Sequence, residues 1–356
     1  MKIVFLSYLQ GYGGAEKQSI MLANNMASRG HEVTVIAVSD YDPCFAIDER
    51  VKLEHLPDKH SSILRVFSRY RDVKKALIAI RPDVTVHFWF QSAYLTAFMK
   101  KGIAGKIIYS ERGDPGDREY HGALGLIRKL ALPRIDGFVF QSKGARNYFD
   151  SKVRRRSVII PNPVFINAKD FQEIRERRKA IVTIGRLHPQ KNQKLLIDAF
   201  AMIADRIPEY SLEIYGRGDL EPDLRDQIIK LGMEDRIYLK GDHKDVHHLI
   251  YDASLFVLSS DYEGLPNALL EAMTLGIPCI STDCRPGGAR EIIEDGKNGF
   301  IVKVGDREAL SERMLQLILE RDLAESFSER ARKSTRFQPK EIYDQWEKYL
   351  EKDNAE

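Results

Sequence analysis

The chain has 356 residues, 43% of them hydrophobic and 30% charged, with a formal net charge of +3. That length exceeds one ordinary core, so two domains of about 170 residues are expected, and the composition is that of a globular protein rather than a disordered one. Cys44, Cys279 and Cys284 lack CxxC spacing, against a structural metal site and for a reducing compartment; no eighteen-residue apolar run occurs, and the start MKIVFLSYLQ reads as neither a signal peptide nor a membrane span.

Charge is unevenly placed. Residues 1–165 hold 26 Lys/Arg against 16 Asp/Glu, or +10, and residues 166–356 hold 29 against 36, or −7. A basic first half is expected to meet an anionic partner, such as lipid headgroups or a polyprenyl or lipid pyrophosphate. Nucleic acid is not expected, because no helix-turn-helix, zinc-finger or RNP-like pattern accompanies the charge. Arg65, Arg69, Arg71, Lys74 and Lys75 share one helical stretch, and Arg128, Lys129 and the run SKVRRR follow. Near an anionic membrane each such group contributes roughly 1 kcal/mol, so peripheral membrane contact is an expectation and ordinary solubility the alternative.

In chain order, strand-like runs at Ile3–Leu6, Val33–Val38, Val84–Phe88, Lys106–Tyr109 and Phe138–Phe140 are separated mostly by helix-like segments, at residues 14–28, 63–80, 124–130 and 144–149. That alternation predicts a parallel α/β sheet, whose ligands sit beyond the carboxyl ends of the strands. The first such end carries LQGYGGAEKQ. It is neither GxGxxG nor GK[ST], so dinucleotide and P-loop readings fail, while Gly13 and Gly14 can lie near a pyrophosphate or a transferred group. Past Val86 come Trp89, Phe90 and Tyr94, a stacking wall for a sugar, a hold for an acyl chain, or an aromatic helix-packing cluster. Past Tyr109 comes SERGDPGDREYHG; Glu111, Arg112, Asp114 and His121 are the acceptor-binding candidates.

After PNPV at Pro161–Val164 and a polar stretch, the cycle restarts with AIVTIGRLHPQKN. Arg186 and Lys191 follow its strand, where a planar fork and a compact ammonium can clamp a diphosphate. Further strand-like runs at Leu212–Tyr215 and Arg236–Leu239 lead into small-residue turns; KGDHKDV, with Gly241 and His243, reads as the edge of a base-binding pocket. The apolar run Leu255–Leu258 then opens SSDYEGLPNALLEAMTLG, predicted as strand, polar loop and helix with Pro266 in the first turn. Gly264 lets backbone approach a ligand. The amides of Leu265, Pro266's neighbour Asn267 and the first helical turn can meet a phosphate or a hydroxyl. Glu263 and Glu271 can accept from sugar and ribose hydroxyls. Gly287 and Gly288 suit close packing, and the tail around Ile342, Trp346 and Leu350 predicts an amphipathic helix.

These motifs, GYGGAE, VTIGRLHPQKN, EIYGRGD, DYEGLPNALLEAMTLGIPCISTD and GKNGFIV, together resemble those of the retaining GT-B-fold glycosyltransferases of family 4. The resemblance implies two Rossmann-like domains facing across a cleft: residues 1–163 for the acceptor, completed by a helix over 339–356, and residues 164–338 for the nucleotide-sugar donor. It implies Arg186 and Lys191 on the donor pyrophosphate, Glu271 on ribose, and Glu263 with the 264–267 backbone on the transferred sugar. Gly13 and Gly14 would approach from the other domain, and the base would sit near Gly241 and His243. No metal or other cofactor is expected, the UDP-sugar being a co-substrate. Many relatives place a His where this chain has Arg112, which leaves no catalytic His to assign. SERGDP and STDCRPGGAREII are similar to enzymes building polysaccharide or lipid-linked oligosaccharide from UDP-galactose, UDP-N-acetylgalactosamine or related donors. The expected activity is retaining transfer of Gal, GalNAc, GlcNAc or Glc from UDP to a glycan or lipid-linked saccharide, in the cytoplasm or on the cytoplasmic membrane face. The alternatives are a nucleotide-sugar-binding protein without turnover and a GT-B epimerase or phosphorylase.

Overall fold

Short apolar runs alternating with helices can bury both faces only in a parallel sheet covered by helices on either side. The computed structural model of the protein has two such sheets. It describes residues 1–9, 14–38, 45–56, 63–117, 120–166, 170–171, 174, 176–334 and 337–352. The chain divides into two compact units, Met1–Pro163 with Pro339–Glu356, and Val164–Gln338.

In the first unit the strands are β1 (Lys2–Ser7), β2 (Glu32–Ala37), β3 (Lys52–His55), β4 (Val84–His87), β5 (Lys106–Ser110), β6 (Gly137–Phe140) and β7 (Ser157–Ile159). They pair in parallel in the order β3-β2-β1-β4-β5-β6-β7. Helices α1 (Gly14–Ser28), α2 (Ile63–Ile80), α3 (Phe90–Met99), α4 (Gly122–Ala131), α5 (Lys143–Asn147) and α6 (Ser151–Arg155) connect them. The aromatic wall at Trp89, Phe90 and Tyr94 is the start of α3, and Phe90 is buried edge-on against Tyr109 and Tyr120. The SKVRRR run forms α6, capped by Asp150, which accepts from the Val153 amide.

The second unit holds β8 (Arg178–Ile184), β9 (Ser211–Tyr215), β10 (Ile237–Gly241), β11 (Ala253–Leu258), β12 (Cys279–Thr282) and β13 (Phe300–Val302), parallel in the order β10-β9-β8-β11-β12-β13. Its helices are α7 (Gln193–Ile203), α8 (Glu221–Lys230), α9 (Val246–Ile250), α10 (Asn267–Thr274), α11 (Arg307–Leu319) and α12 (Arg321–Ser334). The strand order reverses between β8 and β11, and loops at such a switch point diverge to leave room for a ligand.

The last helix, α13 (Pro339–Glu351), returns to the first unit. Ile342, Trp346 and Leu350 fall four residues apart on one face and are almost fully buried in the core beside α1. Polar ties fix its register: Arg29 bridges Asp344 at 2.7 Å and Glu347 at 2.6 Å, His31 reaches Glu347 at 2.9 Å, and Tyr349 accepts from the Phe138 amide at 3.0 Å. Burial alone would raise Glu347, but the bonds from His31 and Arg29 outweigh it and hold the carboxyl below its usual range. Among the described residues, no helix is long and apolar enough to cross a membrane.

Candidate functional site

The switch point of the second unit is where the separately predicted residues meet. Past β8, Gly185 brings the backbone round into Arg186 and a short 3-10 turn, Pro189–Lys191. The Lys191 stem lies over Gly185, where an added Cβ would meet its Cδ and Cε at 3.2 Å. Asn192 then takes a left-handed conformation (φ 44°), uncommon for a residue with a Cβ. Two bonds hold it there: its Oδ1 accepts from the Leu195 amide at 3.3 Å, capping α7, and its Nδ2 donates to Asp261 at 2.8 Å. Further stitches join the β8 and β11 loops. Asp261 N–H donates to Gln190 O at 2.8 Å, Gln190 Nε2 donates to Tyr262 O at 2.9 Å, and Ser259 Oγ donates to Lys191 O at 2.9 Å.

At the centre Lys191 Nζ donates to Glu263 Oε1 at 2.5 Å, and Ser260 Oγ donates to the same oxygen at 2.7 Å. Both charges are largely withdrawn from water, with side-chain exposures of 18% and 9%, so each is held by the other. Beside them Gly264 runs so close to Gly288 that a Cβ on Gly288 would sit 2.1 Å from the Gly264 carbonyl oxygen. Leu265 and Pro266 are buried, and α10 begins at Asn267 with Pro266 at its cap, one residue later than the sequence suggests. The first helical bond runs from Leu270 N–H to Pro266 O at 3.1 Å. A helix start of this kind presents donors and a positive dipole end to an anion or a hydroxyl.

Arg186 differs from Lys191 in having no side-chain partner among the described residues. Its side chain is exposed and makes no hydrogen bond or ion pair among the described residues. Glu271, one turn into α10, is half-buried and accepts from His247 Nε2 of α9 at 3.2 Å. Since a carboxylate only accepts, that ring nitrogen carries the proton. His247 is a residue the motif reading missed, as was Ser260; neither has a spacing that marks it. Gly241 ends β10 with φ 72°, and its carbonyl accepts from Gly216 N–H at 2.7 Å. Gly216 in turn packs on Gly185, whose oxygen would lie 2.0 Å from a Cβ there. The ends of β8, β9 and β10 thus form a side-chain-free shelf, bordered by His243, whose ring stands edge-on to Tyr215 at 5.9 Å.

The first unit places the acceptor candidates differently from an open charged loop. Glu111 is 2% exposed, accepting from Tyr109 OH at 2.8 Å and from Gly113 N–H at 3.1 Å, with Arg128 at 3.7 Å. Asp114 is buried and takes the Gly116 amide at 2.9 Å. Arg112 points into the fold, its guanidinium over the Phe88 ring at 4.3 Å. These charges face inward because each finds a buried partner that solvent would otherwise supply. His121 alone of the four is exposed, on the rim of a cavity of about 520 Å³ lined also by Tyr120, Leu126, Lys129, Tyr148 and Phe149. His87, at the end of β4, is fully buried with Nδ1 3.2 Å from Ser92 Oγ, and burial pushes it down to about 3. It is a neutral packing group at physiological pH. Gly14 opens α1, whereas Gly13 lies outside the described residues. His31, Glu347 and Glu351 lie close enough to share a cation, but the Arg29 guanidinium on Glu347 already neutralises that group.

Two parallel α/β units with ligand-facing loops at the strand carboxyl ends define the GT-B class of glycosyltransferase fold. The structure of Anabaena HepE, solved in complex with UDP, matches with a TM-score of 0.81 over 98% of this chain and 99% of its own, at 20% identity. Residues 12–167 match the family model for Glycosyltransferase Family 4, and residues 165–334 that for Glycosyl transferases group 1. The chain belongs to this family: it is a glycosyltransferase of group 1, family 4 type. An uncharacterized glycosyltransferase of Haemophilus influenzae is 24% identical over 97% of this chain and 98% of its own. The GalNAc-alpha-(1->4)-GalNAc-alpha-(1->3)-diNAcBac-PP-undecaprenol alpha-1,4-N-acetyl-D-galactosaminyltransferase of Campylobacter jejuni is 26% identical over 90% of this chain and 89% of its own.

Proposed function

We propose that the protein transfers a hexose or N-acetylhexosamine from a UDP-sugar to a glycan or lipid-linked saccharide with retention at the anomeric carbon. The observation that carries this reading is the meeting of the Lys191–Glu263 pair and the start of α10 at one switch point, where Arg186 follows β8 in the chain. As the glycosidic bond breaks, negative charge grows on the β-phosphate oxygen. Lys191 and the first-turn amides of α10 are donors fixed in advance for that charge, and the exposed Arg186 adds a second cation. In this scheme the side-chain cations take the place of a metal in neutralising it. Glu263, relieved of Lys191, accepts from the sugar hydroxyls, and Glu271 accepts from ribose. The uridine ring lies on the glycine shelf by Gly241 and His243. The acceptor hydroxyl attacks on the face that UDP leaves, and a phosphate oxygen takes its proton.

Support for a lipid-linked acceptor comes from the undecaprenyl-diphosphate saccharide named for the Campylobacter relative and from the +10 balance of residues 1–165. His121 and Lys129, at the rim of the first unit's cavity, are the exposed groups suited to contact that acceptor or an anionic membrane surface. The test is a screen of UDP- and GDP-sugars against lipid-linked and soluble acceptors, with the product linkage determined by NMR. An α-linked product from a UDP-α-sugar is expected; an inverted linkage, or a GDP-sugar as the sole donor, overturns the proposal. A second reading, donor binding without turnover, has one observation in its favour: neither Arg112 nor His87 is placed to supply an accessible imidazole or its substitute. Release of UDP that requires acceptor separates the two.

A further inference from the structure

We propose that Arg112 is a positioning residue that fixes both segments by which the chain passes between its two units. The chain leaves the first unit at Pro163 and comes back at Pro339. Arg112 Nη1 donates to Asn162 Oδ1 at 2.6 Å, one residue before the exit. Its guanidinium also faces the ring of Trp346 at 5.6 Å, on the helix that makes the return. Phe88, at the end of β4, completes the clasp: it stacks on Trp346 with centroids 6.0 Å apart and lies under Arg112 at 4.3 Å. With its amide turned to satisfy both neighbours, Gln141 donates to Arg112 O at 3.1 Å and accepts from Asn162 Nδ2 at 2.7 Å. The two passing segments also bond each other, Val164 N–H to Phe337 O at 2.9 Å.

A planar cation is suited to this place. It offers a delocalised charge to the adjoining rings and an edge to an amide oxygen, which an ammonium cannot match. The arrangement is costly as packing alone. Arg112 Nε is buried with no hydrogen bond, and enclosure pulls the guanidinium down to about 9, leaving it charged at neutral pH. An apolar side chain would fill the space with no such penalty. The residue therefore serves geometry: it sets where the exit segment and the return helix stand relative to β4 and β5.

The test rests on the transfer reading for its kinetic arm and is independent of it in the others. Arg112→Met, Arg112→Lys and Asn162→Ala are compared for UDP affinity, turnover at saturating donor, and amide exchange over 158–164 and 339–350. The groups assigned to UDP all lie in the second unit, so affinity should stay within about twofold. Misplacement of reacting groups by about 1 Å costs up to about 100-fold, so turnover should fall tenfold or more in both Arg112 variants, and exchange in both segments should rise. Trp346→Phe, which keeps a ring, should retain most of the turnover. Wild-type turnover and exchange in Arg112→Met, or a loss confined to UDP affinity, overturns the proposal. If Arg112→Met does not fold, Arg112→Lys and Asn162→Ala decide it. A wild-type protein that transfers no sugar would defeat the proposed function instead, with exchange still judging Arg112.

Discussion

Lys191→Met is the perturbation that separates stability from chemistry at the switch point. The substitution keeps the stem over Gly185 and removes only the charge, leaving Glu263 buried with Ser260 as its remaining donor. Removing one partner of a buried pair costs roughly 3–5 kcal/mol. Side-chain exposures of 18% and 9% allow some water to compensate, so about 2–3 kcal/mol is the expectation. For a unit of this size that lowers Tm by roughly 5–10 °C. Turnover should fall about 100- to 1,000-fold, the loss typical of one fixed donor facing a developing anion. The double variant Lys191→Met with Glu263→Gln removes the orphaned charge, so most of the lost stability should return while transfer stays low. Thermal unfolding and steady-state kinetics on the wild type, both single variants and the double variant form a double-mutant cycle. A double variant no more stable than Lys191→Met would show that the pair is not what holds the loop. One that transfers sugar at the wild-type rate would refute the phosphate role of Lys191.

Arg186→Ala should be the converse case: the side chain has no partner to lose among the described residues, so stability stays within about 0.5 kcal/mol, while turnover drops by 100-fold or more. Parallel Tm and activity assays check it. Glu271→Gln should weaken UDP-sugar binding roughly 10- to 150-fold, the worth of one hydrogen bond to a charged group, as read by calorimetry; unchanged affinity would mean the carboxylate serves only His247. In Gly288→Ala the new methyl meets the Gly264 carbonyl, so the 263–267 loop must move; donor binding should be lost even where circular dichroism shows a folded protein. Glu347 is depressed in the folded state, so its contribution is present above the unfolded carboxylate value of about 4.3 and is lost as pH falls through the lower folded value. Docking of α13 should loosen in that acid window, seen in Trp346 fluorescence, and Glu347→Gln should remove that dependence.

The apolar strands were legible because burial on both faces demands continuous Val, Ile and Phe: Ile3–Leu6 and Val84–Phe88 fall on β1 and β4 to within a residue or two. β3 was not legible, since Lys52–His55 is an exposed edge strand with no apolar pattern to betray it. Nor was α3, because the cluster that begins it, Trp89 and Phe90, packs by shape rather than by period. At the site, glycine and charge positions at strand ends located Lys191 and Glu263. Their pairing with each other could not be read, because it depends on the reach of a lysine stem across two loops 72 residues apart in sequence. The same holds for Arg112. Its charge suggested a contact with an acceptor, whereas the rings of Phe88 and Trp346, distant in sequence, enclose it.

The most direct test is a crystal structure with an intact UDP-sugar analogue bound. The diphosphate should lie against Arg186 and Lys191 at the start of α10, with Glu271 accepting from the ribose and Glu263 parted from Lys191 to meet the sugar. Nucleotide bound elsewhere, or bound there with the Lys191–Glu263 pair intact and Arg186 turned away, would contradict the account.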